Sequence, residues 1–118
     1  MRNKVWWSGD ARTMKILFDH GTPVPLRRIF PAHEVATAYE MGWATLSNGD
    51  LLAAAEKAFD VFITTDQNLR YQQNLNGRRL AILVLLTTSW PAIQKHKDKV
   101  AKAVNSLEPG GFMELDFH

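Results

Sequence analysis

Three aspartates stand where an α/β chain can do chemistry: Asp19, Asp50 and Asp66. Asp19 closes the apolar run Lys15-Ile16-Leu17-Phe18, and Asp66 closes Val61-Phe62-Ile63-Thr64-Thr65. Asp50 opens the segment that leads into the second run. If both runs are strands of one parallel sheet, all three acids belong to its carboxyl edge, where ligands gather. Carboxylates brought together repel unless a cation neutralises them. Hard oxygen donors in a chain without cysteine suit Mg²⁺ or Mn²⁺, not zinc. One or two such ions can activate water and stabilise a phosphoryl-transfer transition state. Each acid also has a structural role open to it. Asp50 and Asp66 can each cap the helix that follows. Asp19 has less structural reason to be there, because an acid ending an apolar strand is costly if buried unpaired.

Other polar residues lie close to these three in the chain. His20 adjoins Asp19 and could contact a phosphate or a metal-bound water, or be a plain surface histidine. Glu40 is a further acid for the site, or a solvent-facing one. Arg70 follows Asp66 by four positions and is the best phosphate-contact candidate. Tyr71 beside it can stack on a base or pack half-buried. Lys95, Lys97, Lys99 and Lys102 read as one solvated helix face. His33, His96 and His118 are scattered, without the spacing of metal ligands. No phosphate-cradling glycine motif occurs.

The elements that must position these residues alternate. Strands are expected at 15–18, 34–37, 61–65, 80–86 and 112–115. A helix is expected over 24–29, begun by Pro23 and Pro25 and stopped before Pro31. Leu51, Leu52, Ala55, Ala58 and Phe59 form one helical stripe, with Ser47 and Asp50 spaced as a capping box at its head. A short helix should follow Asp66, through Asn68 to Gln73. The longest helix should open at Trp90-Pro91 and carry Ile93, Val100, Val104 and Leu107 inward before Pro109-Gly110-Gly111. Residues 39–43 are ambiguous and end in a turn at Gly42. Strands alternating with helices indicate an α/β fold: a three-layer α/β/α sandwich around a mainly parallel sheet of about five strands.

Composition narrows the function classes. The chain has 118 residues, a single-domain length, and is 46% hydrophobic, which excludes global disorder. The net charge is +2, but Arg2, Lys4 and Arg12 against Asp10 place all of it in residues 1–13. From Met14 onward the charges balance, so no strong field argues for nucleic acid. Residues 1–13 read as a leader or arm, with 14–118 as the folded domain. No apolar run approaches the ~18 residues of a membrane span, and a cytoplasmic protein is expected.

Met14-Lys-Ile-Leu-Phe-Asp-His-Gly21, Gly49-Asp-Leu-Leu-Ala-Ala-Ala55 and Val61-Phe-Ile-Thr-Thr-Asp-Gln-Asn-Leu69 resemble the PIN-like nuclease family, in particular its compact toxin-like subgroup. The resemblance covers nearly all of 14–118. It implies a Rossmann-like sandwich and a Mg²⁺- or Mn²⁺-dependent endoribonuclease site. Asp19, Asp50 and Asp66 would bind the cation, with Thr65 and Asn68 positioning water or phosphate. It further implies an RNA substrate and a role as the toxin of a toxin–antitoxin pair, hence an antitoxin protein as partner. A homodimer is a further expectation, from the Trp-containing leader and the apolar final segment. Two departures stand out. Many relatives carry an acid where this chain has Asn68, and an Asn soon after the first aspartate, where this chain has His20, Gly21 and Thr22. The alternative is a catalytically degenerate PIN-like module that binds RNA or a protein partner. A receiver-like domain also places acids around Mg²⁺, but it expects an acidic pair just after the first strand, a pattern this chain shows poorly.

Overall fold

A computed structural model describes residues 13–69 and 73–117. The chain runs β1 (Lys15–Phe18), a 3₁₀ helix (Val24–Ile29), β2 (Glu34–Thr37), α1 (Asn48–Ala58), β3 (Val61–Thr64), β4 (Ala81–Leu85), α2 (Trp90–Lys95), α3 (Lys97–Ser106) and β5 (Phe112–Leu115). The five strands form one sheet in the order β2-β1-β3-β4-β5. Every neighbouring pair is parallel. β2 lies on one side of β1 and β3 on the other, so the winding reverses between β1 and β3. Such a switch point opens a crevice beyond the strands' carboxyl ends.

Side-chain alternation builds the layers. Ile16, Phe18, Val61, Ile63, Ala81, Leu83 and Leu85 face one way and pack with Leu26, Ile93, Val100 and Val104. Leu17, Phe62, Ile82 and Val84 face the other way and meet Leu51, Leu52 and Ala55 of α1. The 3₁₀ helix, α2 and α3 therefore cover one face and α1 the other. β3 and β4 are buried along their whole length, which is why their sequences run continuously apolar. No helix among the described residues is long and apolar enough to cross a membrane.

Two elements differ from the sequence reading. Residues 24–29 wind as a 3₁₀ helix, a form suited to a short piece with Pro23 at its cap, Pro25 in its first turn and Pro31 just beyond. The expected long final helix is broken at His96, where φ is −114° and ψ 32°. The His96 ring packs edge-on to Phe117 there, with centroids 6.1 Å apart. The stretch 39–43 is a turn, closed by Gly42 at φ 78°. The helix expected through 68–73 passes through residues outside those described. Gln73 N donates to Leu69 O at 3.0 Å across that gap.

The sheet's amino edge carries a separate polar network. Arg79 donates to the carbonyls of Glu56 (2.7 Å) and Phe59 (2.8 Å), closing the end of α1. Glu56 accepts from the N–H groups of Arg79 and Leu80, both at 2.9 Å. Burial works against the Glu56 carboxylate, but these two N–H bonds and the Arg79 charge outweigh it and hold its pKa below the ordinary 4.5. A depressed carboxylate pKa contributes stability above the unfolded value, and that contribution is lost as pH falls through the folded value. Glu56→Gln should therefore lower the melting temperature at neutral pH. The gap to wild type should narrow as pH falls below 4.5 and through the folded-state pKa, where the Glu56 carboxyl takes up its proton. Parallel thermal melts of the two proteins across that range check this.

Candidate functional site

Phe18 of β1 stands opposite Ile63 of β3, so the residues after each strand emerge side by side. Asp19 N donates to Ile63 O at 3.2 Å, extending the pairing by one step. Thr64, the last residue of β3, is fully buried and sits between the two acids. Its hydroxyl donates to Asp19 Oδ2 and accepts from Asp66 N at 3.0 Å. Thr22 completes the support. Its hydroxyl shares a proton between Asp19 Oδ1 (2.7 Å) and Ile63 O (3.1 Å).

Asp66 is held by a second set of donors. Asn68 N bonds Oδ1 at 3.0 Å, a local turn of the kind Asp favours. Asn48 Nδ2, on the first residue of α1, reaches Oδ2 at 3.3 Å. The head of α1 is thereby tied to the end of β3. Asp50 lies in that first turn, and its N–H donates to Ser47 Oγ at 3.3 Å, so the cap is the Ser47 side chain. Its side chain is exposed at the α1 head. Among the described residues, no three acidic or histidine side chains form a ready metal cluster. The acids joined through shared contacts are Asp19 and Asp66.

Both acids offer hard oxygen donors. Each Asp19 oxygen accepts one hydroxyl bond and keeps further lone-pair capacity. The donors on both aspartates are uncharged hydroxyl, amide and backbone groups, so their negative charge has no cationic partner among the described residues. Mg²⁺ commonly takes one or two carboxylates and completes its shell with water and phosphate oxygens.

A cleft of about 410 Å³ opens beside Asp19, lined by His20, Thr22, Val24, Thr37, Tyr39 and Glu40. His20 and Glu40 thus share a cavity with Asp19. Glu40 is already engaged. Its Oε1 accepts from Arg27 and from Thr37 N (2.9 Å), while Glu40 N donates to Thr37 Oγ1 at 3.1 Å. The Arg27 guanidinium and the Thr37 N–H hold the Glu40 carboxyl below its ordinary pKa.

The hydroxyl that links Asp19 to Asp66 N belongs to Thr64, not to the neighbouring Thr65 expected to position water or phosphate. Thr65 Oγ1 instead crowds Gly21, where an added Cβ would lie 2.7 Å away. Strand alternation carries the signal for this. Residues 62 and 64 share one parity in β3, as 17 and 19 do at the end of β1, so Thr64 and Asp19 point to the same side of the sheet. The contribution of Asn68 to Asp66 is its backbone N–H. Asn48 and Thr22 carried no recognisable signal, since their roles depend on contacts far along the chain. Arg70 and Tyr71 lie outside the described residues. No family model, curated protein or solved structure matches the chain.

Proposed function

We propose that this chain is a metal-dependent endoribonuclease of PIN-like type, working with Mg²⁺ or Mn²⁺. The observation that supports the reading is the Thr64 bridge, which links the Asp19 carboxylate to the Asp66 backbone N–H at the switch point between β1 and β3. Asp19 and Asp66 would hold the ion, and Asp50, in the first turn of α1, would add an outer contact through water. When bound, the ion supplies charge stabilisation at phosphorus and a more acidic water. In hydrolysis a water oxygen bonds to phosphorus as one P–O ester bond breaks, leaving a phosphate monoester and a free hydroxyl. His20, exposed in the adjoining cleft, would contact the phosphate. The toxin role and the antitoxin partner rest on the family resemblance.

Calorimetric titration with Mn²⁺, beside an Asp19→Asn/Asp66→Asn variant, tests the site. Saturable binding in wild type and none in the variant is expected. Single-stranded RNA should be cut in Mn²⁺ and left intact in EDTA. A second reading, a PIN-like module that binds RNA or protein without cutting it, is favoured by Asn68. The acid many relatives carry there is missing, and the site has one negative charge fewer. Salt-dependent RNA binding without cleavage in Mn²⁺ selects that reading.

A further inference from the structure

Three large apolar side chains are conspicuously exposed among the described residues: Val24 at 55%, Tyr39 at 80% and Met41 at 38%. Val24 and Tyr39 line the cleft that ends at Asp19. Exposed apolar surface gathered around a cavity signals a ligand more strongly than the same residues scattered.

The Tyr39 ring is presented by a pinned turn. Ala38 N donates to Phe18 O at 2.8 Å, anchoring the turn to β1. Thr37 and Glu40 exchange reciprocal bonds across Tyr39. Met41 N reaches Thr37 O at 3.1 Å, Gly42 N reaches Tyr39 O at 3.0 Å, and Trp43 N reaches Ala38 O at 2.9 Å. Gly42, at φ 78°, supplies the left-handed residue this closure requires. Val24 is held between Pro23 and Pro25. An aromatic ring on a braced backbone is a platform whose exposure costs little further ordering when something stacks on it.

We infer that this cleft is a base-binding subsite: an unpaired RNA base stacks on Tyr39 against Val24, with its phosphate directed to Asp19. The inference rests on the ribonuclease reading and gives it a substrate class, single-stranded RNA or an unpaired nucleotide beside the cut. A duplex keeps its bases paired and stacked, so it cannot offer one to the cleft. Every base has an apolar face, so the subsite should tolerate sequence.

The test uses a fluorescein-labelled single-stranded oligoribonucleotide and the same strand annealed to its complement. Anisotropy is measured in Ca²⁺ and cleavage in Mn²⁺. Tyr39→Ala should weaken single-strand binding about tenfold, within the range of one lost stacking contact. Tyr39→Phe, which keeps the ring, should stay within about twofold of wild type. Neither substitution should change duplex binding. Matching melting temperatures would show the fold intact, as an exposed site allows. Single-strand binding unchanged by Tyr39→Ala, or no single-strand binding by wild type, overturns the subsite. The nuclease reading is scored separately by cleavage. Tyr39-dependent binding without cleavage keeps the subsite and removes the nuclease; cleavage indifferent to Tyr39 does the reverse.

Discussion

Asp19→Asn is expected to reduce Mn²⁺-dependent RNA cleavage by at least about a hundredfold, the scale of losing one preorganised charge at a transition state. The substitution keeps the shape of the side chain and one carbonyl acceptor. A hydroxyl can both donate and accept, so Thr22 or Thr64 can reorient toward the new amide. What disappears is the negative charge. An amide oxygen is a far weaker partner for a divalent ion than a carboxylate whose donors are all neutral. The melting temperature should therefore change little while the Mn²⁺ binding heat is lost. Single-turnover cleavage assays and calorimetry on the same preparations check both halves. Undiminished cleavage in the variant would remove Asp19 from the site.

Thr64→Val tests the bridge itself. Valine matches threonine in size, and the strand around position 64 is already apolar, so packing is preserved. The lost hydroxyl leaves Asp66 N without its acceptor and Asp19 Oδ2 without its donor. Part-buried groups stranded in this way cost about 1–3 kcal/mol. Denaturant unfolding should show a destabilisation of that order. Mn²⁺ affinity should fall about 10–100-fold, as when a residue that orients metal ligands is removed. Thr64→Ser restores the hydroxyl and should recover most of the affinity. A valine variant that binds Mn²⁺ as wild type does would mean that Asp19 and Asp66 are placed without Thr64.

All five strands were legible to within a residue at each end because each is a short run holding apolar residues between polar or turn residues. The β-branched Val61–Thr65 gave the clearest signal, and the continuously apolar Leu80–Leu86 fits a strand covered on both faces. The head of α1 was equally clear, as Ser47 and Asp50 form the cap their spacing announces. The break at His96 was hidden. Neither glycine nor proline marks it, and the ring that packs there, Phe117, is far along the chain.

The candidate site divides along the same line. Sequence by itself determined that Asp19 and Asp66 end strands, because local alternation and β-branched content define where each strand stops. It also determined the α/β class, because alternating periodicities admit few other architectures. Only the tertiary structure decided that β1 and β3 are neighbours, that Thr64 and not Thr65 joins the two acids, that Asn48 reaches Asp66, and that Tyr39 stands exposed beside Asp19. Local propensity acts over a few residues, whereas these placements follow from packing between segments about 20 to 45 positions apart, where the order of the strands settles which side chains meet.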